Sequence, residues 1–536
     1  MARRTRRPAA TRAQTLQTVT THCPACGHKL WAEYANRRTV TTLDGVLRLT
    51  LRTRCCPNMR CPRWGLPYRP EAEGHFALPH HEFGLDVIAL VGRLRYAEHR
   101  SIPEIHQELR RRGLAIAERT VTNLLGRYDE LRALHTADPD RLRQRLAGQK
   151  QVVLALDGLQ PDVGHEVLWI LRDCLSGEIL LARSLLSARQ EDLAALLTEV
   201  KNALPVPITA AVSDGQTSIR KAVARALPGV PHQLCHFHYL REAAKPIYEA
   251  DRHAKKELKK RVRGVRKIER EVESREGPLA EVVRGYCAAV RSALTDDGRP
   301  PLGACGLKLE GRLSAIAASL DRLGKRGELP RELSRLRQLL HKGLAETARL
   351  WPEVRASFRW VHQAARLLGR AEGLSGRQVR SRLRCLLGRV RKEAQRLGRQ
   401  GQGERAERLR HFVRVSESYE AGLFHCYDVA DLPRTNNALE QLFGSYRYHE
   451  RRVSGRKAAP AALVVRGAVR VVAAVATRLR VVSGEELAPN LADWQRQRAE
   501  LDRRRHARVR QRRFRRDPPT YLRDLERKYR LLGLPA

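Results

Sequence analysis

Two apolar runs that each close on an acid constrain this chain more than any other feature. In QVVLALDG, Val152 to Leu156 precede Asp157; in ITAAVSDG, Ile208 to Val212 precede Asp214. Continuous β-branched and aliphatic runs of this length read as central strands buried on both faces. Between them, HEVLWILRD and EILLARSLL read as two more strands joined at Ser176-Gly177, and QEDLAALLTEVKNAL reads as an amphipathic helix. QTSIRKAVARAL supplies a helix after the fourth strand, giving the order β-β-β-α-β-α. A right-handed crossover sets the fourth strand parallel to the first. If the two are neighbours, Asp157 and Asp214 emerge at one edge of the sheet, where paired carboxylates repel unless a divalent cation sits between them. Taken singly, each acid is explained as well by an Asp-Gly turn at a strand end; the pair is explained poorly that way.

A third acid opens the segment DLPRTNNALEQLFGSYRYHERR. Asn437 and Glu440 have the spacing of a capping box, which accounts for the glutamate as the N-terminal partner of a helix. Leu439, Leu442, Phe443 and Tyr446 form the apolar stripe of that helix, and Glu440 lies at its edge with Arg447 and Arg451 further along. A carboxylate there would complete a site for two Mg²⁺ ions (or Mn²⁺) about 3.5–4 Å apart, as in-line phosphoryl displacement requires.

Charge favours a polyanionic partner. Lys and Arg number 102 against 58 Asp and Glu, a formal net charge of +44 spread along much of the 536 residues. Such a field suits DNA or RNA lying across several domains, because each neutralised phosphate releases condensed counterions. A membrane surface is the weaker reading, since the best apolar stretch, AALVVRGAVRVVAAVATRL, is interrupted by Arg466 and Arg470 and is too short to span. The length suits roughly three to four domains of ~150 residues. The Arg-rich start, MARRTRRPAATR, has no apolar run after it and reads as a basic disordered arm over residues 1–18.

Five of the eleven cysteines fall between Cys23 and Cys61, the distribution of a metal site in a reducing, cytoplasmic compartment. HCPACGHKL and RCCPNMRCPRW read as two knuckles joined by a β-hairpin around Asp44-Gly45, a zinc ribbon over residues 19–70 with Cys23, Cys26, Cys56 and Cys61 as ligands. Cys55, His22 and His28 could substitute in that set. Residues 80–136 read as three helices, with a capping box from Ser101 to Glu104. The last two read as a helix-turn-helix offering Arg119, Thr122, Asn123 and Arg127 to DNA, or as a helix pair that serves only packing.

LALDG, AVSDG, CHFH and TNNALEQLFGSYRYHERR, in this order, resemble the DDE transposases of bacterial insertion sequences. The resemblance spans roughly residues 151–480 and implies a ribonuclease-H-like mixed sheet with a large helical insertion before the last acid. It implies Asp157, Asp214 and Glu440 as the metal-binding triad, with Asp428 and Asp431 as fallback candidates for the third acid. The Cys-x-x-His of Cys235 and His238 is similar to an element of Mutator-like transposases, supporting the site or capping a helix. The implied organisation is a core in two parts, residues 148–240 and 431–485, an all-helical insertion over 241–430 and a basic tail over 486–536. Trp351 and Trp360 in the insertion are expected to pack in its core, and Arg447, Arg451 and Arg452 to meet DNA. The expected activity is strand cleavage at element ends and transfer into target DNA, by a nucleoid-associated homodimer or larger assembly. A DNA-binding regulator and a nuclease that cuts without joining are the rivals.

Overall fold

The structure, a computed structural model, describes residues 9–160, 166–455 and 461–532. It is a mixed α/β architecture, 61% helical. Strands β1 (Arg12–Gln17), β2 (Trp31–Thr42) and β3 (Gly45–Cys55) form a sheet in the order β1-β3-β2. The expected hairpin is β2–β3, but its turn lies one residue early. Thr42 pairs with Gly45, leaving Leu43 and Asp44 at the tip. Gly45 has φ +117°, and a Cβ there would meet the Thr11 hydroxyl at 2.6 Å. Part of the expected arm is ordered: from Arg12 it pairs in parallel with β3, anchored where the Thr18 hydroxyl donates to the carbonyls of Arg52 and Tyr68. The first eight residues of that arm lie outside the described residues.

After a short helix α1 (Glu73–Phe76) come α2 (Leu85–Tyr96), α3 (Ile102–Arg111), α4 (Glu118–Ala137) and α5 (Pro139–Leu146). The capping box forms as expected: Glu104 N donates to the Ser101 hydroxyl, and the Glu104 carboxylate accepts from Ser101 N. Then β4 (Val152–Leu159), β5 (Val167–Asp173), β6 (Ile179–Leu185), α6 (Gln190–Ala203), β7 (Ile208–Ser213) and α7 (Thr217–Ala226) follow in the expected sequence. A short strand β8 (His232–Leu234) and α8 (His236–Ala243) complete this region. The five strands lie in the order β6-β5-β4-β7-β8, with β4–β5 and β5–β6 antiparallel and β7–β8 parallel. Val152 N donates to Pro207 O, so β4 and β7 begin side by side.

The expected insertion is wholly helical: α9 (Lys245–Arg261), α10 (Val265–Glu271), α11 (Pro278–Thr295), α12 (Cys305–Gly324), α13 (Arg331–Thr347), α14 (Trp351–Gly369), α15 (Gly376–Arg399) and α16 (Gly403–Tyr419). On α15 the residues at helical spacing, Val379, Leu383, Leu386, Val390 and Leu397, are buried while the arginines between them face water. Trp351 is buried in this core and Trp360 packs half-buried against it, the packing role expected of both.

Four helices close the chain: α17 (Asn437–Ser454), α18 (Ala461–Leu479), α19 (Leu491–Arg516) and α20 (Pro518–Leu531). No helix among the described residues is long and apolar enough to cross a membrane. The apolar stretch suspected at Ala461 to Leu479 packs instead against α2, α4 and β6.

The chain divides into two compact units. One comprises Met1–Ile208, Arg225–Leu227 and Ala438–Ala536; the other comprises Thr209–Ala224 and Pro228–Asn437. In the first, α4, α17, α18 and α19 meet around buried charge. Glu130 accepts from Arg127 at 2.6 Å, Arg466 at 3.0 Å and the Trp494 indole N–H at 2.9 Å. Its neighbour Asp129 accepts from the Tyr96 hydroxyl at 2.6 Å and lies 3.8 Å from Arg470, which also donates to Glu450. Removing the acid from such a buried set leaves the cations uncompensated. Glu130→Ala should therefore cost about 3–5 kcal/mol in urea unfolding. A loss below ~1 kcal/mol would place this network outside the structural core.

His449 on α17 is fully buried, against Tyr96 and within 2.8 Å of the His99 imidazole. Burial, with Arg95, Arg478, His99 and Arg470 nearby, holds its imidazole down to about 3. Its folded value is thus depressed, so the stability it contributes is complete above the unfolded value of about 6.5 and is lost as pH falls towards 3. Urea titrations between pH 6.5 and 4 should show wild-type stability falling with pH, and His449→Phe should flatten that slope by up to about 1.4 kcal/mol per pH unit.

Candidate functional site

The clearest site chemistry is sulfur. Cys23 and Cys26 sit on a tight loop in which Cys23 N donates to His28 O and Gly27 N to Cys23 O, both at 2.8 Å. Gly27 has the positive φ, +73°, that closes this turn. Cys56 follows the end of β3, and Cys61 lies on a turn where its N–H donates to Asn58 O. The hairpin β2–β3 thus runs from one knuckle to the other, with Trp31 paired to Cys55. The four Sγ atoms lie within 4.8 Å of one another, Cys23 to Cys61 at 3.7 Å and Cys26 to Cys56 at 3.5 Å. Thiolates placed tetrahedrally at the usual Zn–S distance of ~2.3 Å would stand ~3.8 Å apart, so the cluster is compatible with zinc.

Among the described residues this is the one group of three or more metal-ligating side chains gathered closely enough to hold an ion. His22, His28 and Cys55, the alternatives in the sequence, are not part of it. Backbone and hydroxyl donors already face the sulfurs: Arg63 N donates to Cys61 Sγ, and the Tyr68 hydroxyl lies 3.1 Å from Cys23 Sγ. The backbone N–H of His28 draws the Cys26 thiol down to about 6, while burial pushes Cys56 up to about 12. Denaturing the purified protein should release about one zinc ion per chain to a chromogenic chelator. The double variant Cys26→Ser, Cys61→Ser should release none and should lose the protease resistance of residues 19–70; a metal-free wild type that kept that resistance would show that the cysteines need no ion.

The acids occupy separate local settings. Asp157 lies inside β4 and not at its end, because the strand continues through Gly158 to Leu159. It stands opposite Ile170 on β5, is 9% exposed, and its Oδ1 accepts from Gly158 N at 2.8 Å. A Cβ added at Gly158 would come within 3.0 Å of Val167 and 3.2 Å of the Trp169 ring, so a side chain there would require these neighbours to shift by a few tenths of an ångström. Glu440 lies half-buried in the first turn of α17, beside the expected stripe, of which Leu439, Phe443 and Tyr446 are buried. Both belong to the first unit.

Asp214, in the second unit, is the first residue beyond β7. The turn reading holds in part, since its Oδ1 accepts from Gln216 N at 2.9 Å. The turn is also built around an aromatic ring. Gly215 has φ +86°, and a Cβ there would stand 2.7 Å from Tyr419, whose hydroxyl donates to Asp214 O. Arg220 stacks on the same ring at 4.4 Å and donates to Gly215 O. Tyr419 and Arg220 are neighbours of Asp214 that sequence reasoning missed; only the fold brings Tyr419 to the Asp-Gly pair. The Asp214 side chain opens on a cavity of about 650 Å³, lined also by Gln216, His238, Arg241, Lys245 and Tyr419.

Cys235 and His238 divide their roles. Cys235 precedes α8 without capping it: its N–H donates to Ser213 O, and its Sγ accepts from Asn436 N at 3.3 Å. It ties the end of β7 to the chain that leads into α17. His238, in the first turn of α8, faces the Asp214 cavity. Of the fallback acids, Asp428 is committed to Gly376 N at the start of α15, and Asp431 is exposed with φ +61°.

The expected DNA-facing residues separate in the same way. Arg119, Thr122 and Asn123 are exposed on α4, and Arg447, Arg451 and Arg452 on α17. Arg127 is not available to DNA as expected: it faces inward and pairs with buried Glu130. A scan against protein-family models finds no match to the chain, and a search of curated proteins finds no significant similarity.

Proposed function

We propose that this chain is a DNA transposase of a bacterial insertion sequence, a metal-dependent polynucleotidyl transferase with a ribonuclease-H-like core. The observation that carries the reading is the central sheet: β4 and β7 are neighbours that begin together, β4 carries Asp157 within its last three residues, and Asp214 directly follows β7. The net charge of +44 adds a surface suited to a long phosphate polymer.

In this reading Asp157, Asp214 and Glu440, which are not among the side chains gathered closely enough here to hold an ion, would supply the hard oxygen donors for two Mg²⁺ or Mn²⁺ ions. When bound, these ions would supply an activated attacking oxygen and charge neutralisation on the leaving one. Water attacks phosphorus at the element end; the P–O3′ bond breaks, leaving a free 3′-hydroxyl on one side and a 5′-phosphate on the other. That 3′-hydroxyl then attacks a phosphodiester of target DNA at the same acids, so one phosphoester bond forms as another breaks. The cysteine knuckles, which zinc would hold together, and the helix pair α3–α4, with Arg119, Thr122 and Asn123, recognise the terminal repeats. Arg447, Arg451 and Arg452 hold backbone phosphates. Pairing two ends calls for a homodimer or larger assembly, working on the bacterial nucleoid.

Labelled element ends incubated with Mg²⁺ test the proposal. Wild type should nick them and give strand-transfer products. Asp157→Asn, Asp214→Asn and Glu440→Gln should each lower cleavage about a hundredfold or more while binding persists, since a lost metal ligand removes several kcal/mol of charge stabilisation. Binding without cleavage in wild type would favour a regulator, and cleavage without joining a nuclease; cleavage that survives all three substitutions would discard these acids.

A further inference from the structure

A second cavity, of about 780 Å³, adjoins the one at Asp214, and the two share Tyr248, Glu249 and Arg252. Its floor is one face of α9. Arg252, Lys256 and Lys259, with Arg263 just beyond the helix, line it at helical spacing, and Lys245 and Arg241 continue the row into the Asp214 cavity. From Lys245 to Arg263 the row runs ~27 Å at ~1.5 Å per residue. The length suits several consecutive phosphates better than a single small anion.

This helix sorts its cations. Lys260 pairs with Glu257, Arg261 with Glu346, and the buried Lys255 with Asp297 in the cavity wall. Several cations elsewhere in the helical region are paired too, as in Arg275–Glu332, Arg337–Asp321, Arg355–Glu310 and Arg384–Glu420. Among the described residues, Arg252, Lys256, Lys259 and Arg263 take part in no ion pair, and the groove's own wall acid, Asp297, is already taken. Glu249 is the remaining acid of the lining. Four unpaired cations along one concave groove present a continuous row of partners to an anion from outside. Tyr248, half-buried where the two cavities join, adds an aromatic face on which a base can stack.

We propose that this groove binds one unpaired nucleic-acid strand, its phosphates along Arg263, Lys259, Lys256 and Arg252 and a base on Tyr248, and leads it to Asp214. The arrival at Asp214 rests on the transposase reading; strand binding in the groove does not.

The full-length protein is titrated, at several salt concentrations, into a fluorescein-labelled oligothymidylate of about twelve nucleotides and into a duplex of equal length. The triple variant R252Q/K256Q/R263Q should bind the single strand at least tenfold more weakly. Its salt dependence should fall by about two, the loss of three phosphate contacts at ~0.7 each, with duplex binding little changed. Tyr248→Ala should weaken single-strand binding about fivefold or more, and Tyr248→Phe should restore it. A control triple on α19, R510Q/R512Q/R513Q, removes the same charge elsewhere, and matching thermal midpoints show that all variants are folded.

Equal losses from both triples, or an unchanged slope in the groove triple, would overturn the proposal. If wild type fails to cleave element ends yet the groove triple shows the selective loss, the transposase reading falls and the strand site stands. If cleavage holds and the selective loss is missing, the groove alone is discarded.

Discussion

Glu130 is the constraint on which the first unit depends. Side chains from three helices far apart in sequence, α4, α18 and α19, converge on one buried carboxylate, and its neighbour Asp129 does the same for α2 and α18. A charge out of water is tolerable only when its partners stand in fixed directions. The three donors to Glu130 therefore fix the mutual placement of helices that apolar packing alone would let slide. The same arrangement seats α18, which carries Arg466 and Arg470 on a body otherwise apolar enough to resemble a membrane segment. Those two arginines reach the buried acids of α4.

The cysteine cluster and the Asp214 turn are prepared by the backbone in different ways. At the N-terminal cluster, short loops aim sulfurs at a common centre and surround them with N–H and O–H donors, an arrangement suited to thiolate and a soft ion. Beyond β7 the preparation is aromatic and cationic: Tyr419 and Arg220 lock the Asp214–Gly215 turn while the carboxylate stays open to a roomy cavity. The first setting is enclosed and the second opens on a cavity of about 650 Å³.

Much of this was legible in the sequence wherever the signal was local. Cysteine spacing marked the four-sulfur cluster, Ser101 and Glu104 marked a helix start, and apolar continuity marked β4 and β7. The helical insertion followed from its leucine periodicity. Legibility failed where a partner distant along the chain decided the outcome. RAQTLQ shows a single buried side chain, Leu16, and becomes β1 because β3 offers it an open edge. The apolar run that stops at Leu156 puts Asp157 at a strand end, yet pairing with β5 carries the strand on to Leu159. Arg127 looked like a residue for DNA until Glu130, one helical turn away, drew it inward. Tyr419 carried no signal at all, since nothing near it in the sequence speaks of Asp214. The acids were legible as three separate signals; their shared role is inferred from the sheet order and the resemblance.

The long helical excursion begins and ends at one clasp. His236 N donates to Arg434 O, and the Cys235 sulfur accepts from Asn436 N, so the chain departs and returns at adjacent points. A loop whose ends are already held together adds little closure entropy when it grows, because that cost rises only with the logarithm of length. The clasp therefore acts as a graft point. The length of chain between its two ends can change without altering the contacts that hold it.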